Sequence, residues 1–361
     1  MKKKTIAILG GGNGGHAAAA DLILRGFDVR LYEDAAFASG MEQVFSTKEI
    51  SYAGVLGEGK VCVGMVTSNM KEAVAGAAFI IVSVPAFAHK HFAKTLVPFL
   101  EDGQTVLIFA GIFGSLVFRK EMKDRNIKKE VVFAETYTLP YATRLVGPGQ
   151  SMIMGVTNPL LTGVMPARKT RETMEILQPL YPVTPAKSVL DCGLFTLNPV
   201  VHVPGCILNA GRIELMQGEF WFYKEGITPG VGRVTEMVDA ERMAIITKLG
   251  YTPEPLLQSL IATGSKGENI YEAITGNEGF AKIKGPDNFK NRYFTEDIPY
   301  GLVAWALLAK SLGVPTPVMD SLVTLANGLL EQNCWETGRN LEDLGIKGMD
   351  LDELHLYLEY G

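Results

Sequence analysis

The stretch Thr5-Ile6-Ala7-Ile8-Leu9-Gly10-Gly11-Gly12-Asn13-Gly14-Gly15 decides the fold. Its apolar run breaks into a glycine cluster and then into the alanine-rich Ala17–Ala20, the pattern of a strand, a tight turn and the start of a helix. Gly10, Gly12 and Gly15 fit G-x-G-x-x-G. In that pattern the first glycine permits the turn, the second lets a pyrophosphate approach the backbone, and the third lets the helix pack closely on the strand. The open N–H groups at the helix start, around Asn13 and Gly14, then face the phosphates.

An ordinary tight turn is also rich in glycine, so the flanking sequence has to carry the reading. The helix signal over Ala17–Leu24 ends near Gly26, a second strand reads Asp28-Val29-Arg30-Leu31-Tyr32, and Glu33 closes it. An acid about 20 residues beyond the glycines accepts both hydroxyls of an adenosine ribose and repels a 2′-phosphate. The expected cofactor is therefore NAD, with NADH preferred over NADPH. Asp34, next along the chain, could hold the ribose in place of Glu33 without changing that preference.

At 361 residues the chain suits two domains. Its formal net charge of −5, with Lys and Arg scattered, excludes the basic footprint of a nucleic-acid binder. Met1-Lys2-Lys3-Lys4 resembles a charged leader, but the apolar run behind it is short and flows into the glycine motif, so a cytoplasmic protein is expected. No apolar run approaches the ~20 residues of a membrane span. The four cysteines, Cys62, Cys192, Cys206 and Cys334, lack C-x-x-C spacing, which argues for a reducing compartment and no metal site.

Alternation of strands and helices continues beyond Glu33, the mark of a parallel sheet covered by helices. Lys60–Val66 reads as one strand, Ser68 as a helix cap, Ala78–Val84 as a buried central strand closed by Pro85, and Thr105–Phe109 as another. Val131–Phe133 gives a sixth strand and Ser151–Val156 one more. Ligands of such sheets bind outside the carboxyl ends of the strands, so Val84-Pro85-Ala86 and Phe109-Ala110-Gly111 should border the cofactor. From about residue 190 helical periodicity takes over. Thr252-Pro253 and Thr316-Pro317 each pair a cap with proline at a helix start, and Asp350 with Glu353 reads as a capping box. The expected architecture is α/β: a Rossmann-type parallel-sheet domain over residues 1–188, followed by an all-helical domain over residues 189–361.

Hydride chemistry at a nicotinamide needs one residue that handles protons near neutrality. Of the five histidines, His16 shapes the glycine turn, His355 reads as a surface residue, and His89 and His91 lie too close in sequence to share a helix face, though either could touch the cofactor. His202 lies in the apolar segment Asn198-Pro199-Val200-Val201-His202-Val203-Pro204, where it is either a buried histidine bonded to a carbonyl or the proton carrier. A second segment, Asn291–Pro299, concentrates charge and aromatics ahead of the apolar Leu302–Leu312; Arg292 and Asp297 there are either helix-entry polarity or site residues.

Several segments together decide between these readings. They are Leu9–His16, Val84-Pro85-Ala86, Gly147-Pro148-Gly149-Gln150, Glu225–Pro229, Val238–Arg242, Arg292–Asp297 and Val314–Pro317. With them the chain resembles, over nearly its whole length, the bacterial opine dehydrogenases, relatives of octopine and nopaline dehydrogenases. The resemblance implies condensation of an amino acid with a 2-oxo acid and reduction of the imine by a nicotinamide cofactor. It also implies His202 paired with Asp297 for the proton chemistry and Arg292 on a substrate carboxylate. A homodimer is the assembly to look for. One departure stands out: close relatives have Asn-Pro-Gly after the fifth strand, where this chain has Phe109-Ala110-Gly111, and the following Ile112 and Phe113 are expected to reshape the substrate pocket. The aromatic run Phe220–Tyr223 is either helix packing or a pocket wall. Two rival functions remain open on this footing: a dehydrogenase of simple 2- or 3-hydroxy acids, and a protein that binds NAD(H) to signal without turnover.

Overall fold

The computed structural model describes residues 4–361; the residues Met1-Lys2-Lys3 of the leader-like start lie outside the described residues. The chain forms two compact units, Met1–Gly193 together with His355–Gly361, and Leu194–Leu354.

Among the described residues the first unit contains twelve strands: β1 (Thr5–Leu9), β2 (Asp28–Tyr32), β3 (Glu49–Gly54), β4 (Gly59–Cys62), β5 (Met65–Thr67), β6 (Phe79–Val82), β7 (Thr105–Ile108), β8 (Val132–Thr136), β9 (Tyr141–Gly147), β10 (Gln150–Val156), β11 (Leu160–Met165) and β12 (Val183–Pro185). Eight form the main sheet, in the order β12-β11-β8-β7-β6-β1-β2-β5. From β5 to β8 all neighbours are parallel, whereas β11 runs antiparallel to β8. The chain steps from β1 outward to β2 on one side and returns to β6 on the other, so the glycine turn sits where the winding direction switches, the place such sheets offer a ligand. β6 and β7 are buried along their whole length, as strands covered on both faces must be.

The other four strands make a separate sheet, β4-β3-β10-β9, that the sequence did not announce. The helix Asn13–Leu24 contacts strands of both sheets, which explains its composition: Ala17–Ala20 are wholly buried because the helix has no solvent face for polar residues to occupy. Lys60–Val66 is accordingly not one strand. It breaks at Val63-Gly64, where Gly64 donates to the Val29 carbonyl and a Cβ would lie 2.7 Å from the Asp28 carboxylate, and its halves join different sheets. Ser151–Val156 likewise belongs to the second sheet, as β10. The helix cap is Asn69 rather than Ser68, its side chain accepting from the Glu72 N–H at 3.3 Å.

The expected boundary after residue 188 differs from the observed division. The helix Val189–Leu194 is fixed into the first unit almost to its end: the Cys192 thiol donates to the Glu135 carbonyl at 3.2 Å, and Gly193 lies against Phe113, whose ring a Cβ would approach to 2.5 Å. The final residues also return to this unit, with Lys123 over the Tyr357 ring and Arg168 over that of Tyr360.

The second unit is helical; among the described residues its extended pairing is one isolated bridge between Trp221 and Lys284. Its long helix, Pro229–Lys248, carries the segment Val238–Arg242, whose charges turn out to be internal fasteners. Arg242 is fully buried, paired with Asp239 at 2.7 Å and bonded to the carbonyls of Leu194 and Glu254. Glu241 accepts from the N–H groups of Val318 and Met319 and so caps the helix Pro317–Leu330. Thr316 directs its hydroxyl to Asp320 instead. Thr252-Pro253 opens no helix; the next one is Leu256–Ala262, entered through Pro255. Asp350 and Glu353 do form a reciprocal capping box, with bonds of 3.0 and 2.9 Å.

Candidate active site

The glycine turn of the first unit has the form a dinucleotide needs. Gly10 adopts φ +103°, open to glycine at little cost, and a Cβ there would meet the Ser83 carbonyl at 2.5 Å. A Cβ on Gly15 would fall 1.8 Å from the Gly10 carbonyl, so only glycine lets the helix start this close to β1. At Gly12 a Cβ would meet nothing, and no side chain caps the first turn of the helix. The donors there are thus left for a bound group. Glu33 spans the turn and the end of β2, accepting from Gly11 N–H at 2.7 Å and Asp34 N–H at 2.9 Å. Bound on both sides and half-buried, it keeps lone pairs for hydroxyl donors. These residues fit a nicotinamide dinucleotide.

Asp34 is engaged elsewhere. It pairs with His91 Nε2 at 2.7 Å, and the Ala36 N–H together with His91 holds its carboxyl below the usual range. Asn13 is exposed, and its side-chain oxygen accepts from Leu145 N–H at 2.7 Å, while Gly14 packs on Ser83 and Leu139. Val84 lies against Gly10, Pro85 is exposed beside it and Ala86 is buried. His16 donates from Nδ1 to the Gly12 carbonyl at 3.2 Å, and burial pushes its pKa down. His89 is fully buried. Ile112 and Phe113, expected to shape the pocket, are buried in the first unit.

In the second unit three distant segments meet at one imidazole. His202 sits on the helix Asn198–Ile207, which starts with a proline at its first turn and packs Gly205 onto the Phe222 ring. Its Nδ1 lies 2.7 Å from Asp297 Oδ2. A carboxylate only accepts, so Nδ1 carries a proton. Nε2 faces the Tyr223 hydroxyl at 2.8 Å, accepting from it in the neutral ring and donating to it in the protonated one. Burial pushes the Tyr223 pKa well up, which keeps the phenol protonated. Tyr293 stacks on the imidazole at 3.7 Å between centroids, and Tyr223 stacks on Phe280. Asp297 and Tyr223 both belong to π-helical turns, Asp297–Leu302 and Phe222–Gly226, a backbone form concentrated at functional sites.

Arg292 opens the short helix before Asp297. Its side chain is 59% exposed and pairs with Glu296 at 3.1 Å, leaving most of its planar fork toward solvent. The sequence reading missed Tyr293 as a partner of His202, and it gave Tyr223 only as one ring of an aromatic run. A tyrosine within Asn291–Pro299 was the available signal for the first; for the second nothing distinguished Tyr223 from its neighbours.

The model of the family described as NAD/NADP octopine/nopaline dehydrogenase, alpha-helical domain, matches residues 185–330, and that of the NAD-dependent glycerol-3-phosphate dehydrogenase N-terminus matches residues 5–149. The chain is 34% identical over 358 residues to an opine dehydrogenase of Arthrobacter sp. (strain 1C), covering 97% of each chain. The chain belongs to the opine dehydrogenase family. It is an NAD(P)-dependent oxidoreductase, and membership favours the opine reaction over the simple hydroxy acid alternative. Solved structures with the same fold include an octopine dehydrogenase with NADH and L-arginine, at TM-score 0.77 and 21% identity over 98% of both chains. A yersinopine dehydrogenase with NADP+ bound matches at TM-score 0.75 and 16% identity, over 99% of this chain and 98% of that one. No helix among the described residues is long and apolar enough to cross a membrane.

Proposed function

We propose that this chain performs NADH-dependent reductive condensation of an L-amino acid with a 2-oxo acid such as pyruvate, giving an N-(carboxyalkyl)amino acid, and the reverse oxidation. The observation that carries the reading is the buried series Asp297, His202 Nδ1, His202 Nε2 and Tyr223 hydroxyl. Condensation removes protons from an amine and returns one to a departing hydroxyl, and a histidine with one nitrogen fixed and the other open to exchange can do both. Asp297 fixes the tautomer, and Tyr223 marks the side from which protons reach Nε2. Arg292 binds the oxo acid carboxylate through its fork, orienting the carbonyl face. Gly10, Gly12, Asn13, Gly14, Gly15, Val84, Pro85 and Ala86 border the cofactor, whose nicotinamide supplies hydride when bound.

Glu33 at the end of β2 supports NADH over NADPH, since a 2′-phosphate would meet a carboxylate. The rings around His202 support a neutral, apolar amino donor, because a buried charged side chain would need a partner of its own. Cytoplasmic residence and a homodimer complete the reading; light scattering tests the second. The deciding assay follows NADH oxidation with pyruvate alone and with leucine, norvaline, phenylalanine, arginine or lysine added. Oxidation that requires the amino acid, with arginine a poor donor, is expected. Oxidation with pyruvate alone would return the hydroxy acid reaction, and NADH binding without turnover across the panel would defeat the enzyme reading.

A further inference from the structure

Beyond the glycine turn, the carboxyl edge of the main sheet carries a second strand-to-helix connection, Phe109–Phe113, between β7 and the helix Gly114–Asp124. Three of its residues hold left-handed backbone without being glycine: Ala110 at φ 48°, Ile112 at φ 43° and Phe113 at φ 68°. Such angles are unfavourable for any residue with a Cβ and most of all for a β-branched one. They persist only where the surroundings over-determine them, which happens most often at functional sites.

The surroundings here are two consecutive residues at the end of β8. Glu135 is fully buried and its carboxylate accepts from the N–H groups of Phe113 and Ser115, each at 2.8 Å, and from the Ser115 hydroxyl. Thr136 holds the other half of the turn, its hydroxyl accepting from Ala110 N–H and its carbonyl from Gly111 N–H, both at 3.1 Å. Gly111 lies so close to Glu135 that a Cβ would stand 2.6 Å from the Glu135 Cβ. The carboxylate also meets the positive end of the Gly114–Asp124 helix, using up the donors that would otherwise attract an anion. This turn is thus built to keep a shape and not to bind phosphate. It leaves the carboxyl end of β7, the neighbour of β6, one strand from the β6–β1 switch where the sheet offers a ligand. Ile112 and Phe113 fill the core with their side chains, but Ala110 is half-buried and a glycine there would give the same path without strain, so stability alone does not account for that position.

We infer that Glu135 is a positioning residue for hydride transfer, clamping the strained Phe109–Phe113 turn so that the nicotinamide end of the cofactor meets a fixed wall. The inference rests on the nicotinamide chemistry of the family and not on which amine is condensed.

Two variants of the full chain test it. Ala110→Gly relaxes one left-handed position at the cost of a single methyl group, and Glu135→Gln sets an amide N–H against the backbone donors. In the cofactor-free protein, hydrogen exchange at residues 110–115 should quicken in both, while Ala110→Gly keeps or raises Tm. NADH binding by fluorescence should change less than about 3-fold, because the pyrophosphate and ribose are held at the other turn. Turnover should fall by about 10- to 100-fold in Glu135→Gln and less in Ala110→Gly, each with a larger primary isotope effect from 4-deuterated NADH. Native turnover and isotope effect in Ala110→Gly overturn the inference whatever its Tm, and so does unchanged exchange in a folded Glu135→Gln; if Glu135→Gln does not fold, Ala110→Gly decides alone. A native enzyme that condenses no amine defeats the substrate reading instead, and the exchange and binding measurements then still judge this one.

Discussion

At the turn after β1 the first unit leaves backbone donors uncommitted: no side chain caps the helix, and the space at Gly12 is open. Around His202 the second unit does the opposite, since both ring nitrogens are bonded and the ring face is covered by Tyr293. The difference follows from what each place has to handle. A pyrophosphate is held by fixed dipoles, which need room and nothing else. A proton carrier must sit in one tautomer with one nitrogen addressed, which needs partners. One site is therefore made by omitting side chains, the other by bringing them together.

That contrast can be broken in order of expected effect. His202→Ala should lower kcat by about 10²- to 10⁴-fold while NADH affinity stays near native, as loss of general acid–base chemistry demands; near-native turnover across pH would mean that the proton chemistry lies elsewhere. The glycines should separate just as cleanly. Gly15→Ala drives a Cβ into the Gly10 carbonyl and should abolish cooperative unfolding of the first unit, whereas Gly12→Ala, at φ −77°, should keep native Tm and weaken NADH binding about tenfold or more. A Gly12→Ala protein that binds NADH normally would show that the open space there is not used.

Arg292→Lys keeps the charge and loses the fork, so KM for the oxo acid should rise about tenfold with little change for the amino acid. The comparison substrate is acetaldehyde, which lacks the carboxylate; equal discrimination by both enzymes would return Arg292 to a rim charge. The smallest effect belongs to Glu33→Ala, expected to weaken NADH and narrow the NADH to NADPH ratio of kcat/KM by several-fold, on the order of 1 kcal/mol. An unmodified enzyme that used NADPH better would remove Glu33 from the ribose.

How much of this was legible in the sequence tracks the same contrast. β2 was read to the residue, and β1 with its glycines fell into place, because a local pattern of apolar run, turn and acid specifies them without reference to distant chain. Lys60–Val66 looked like one strand because periodicity does not register that Cys62 ends an edge of one sheet and Met65 begins an edge of another. The antiparallel β11 and the four-stranded sheet were invisible for the same reason: pairing is a long-range choice. At the candidate site, His202 and Asp297 stand 95 residues apart and came together on paper through family resemblance alone. Tyr223 was hidden in a run of four aromatics, of which the π-helical turn brings both Phe222 and Tyr223 to the imidazole and gives Nε2 the Tyr223 hydroxyl.

The last helix, Leu351–Tyr360, begins with the second unit and finishes with the first, where the Gly361 carbonyl accepts from Arg119. For anyone building fragments, this means that a single cut does not separate the chain into its two bodies. A piece ending at Gly193 would lack the strip over which Lys123 and Arg168 lie, and the remaining piece would carry that strip as a stray tail. Clean halves call for a rearranged gene in which residues 355–361 are joined to the first body by a short linker, and an affinity tag is better placed away from this end.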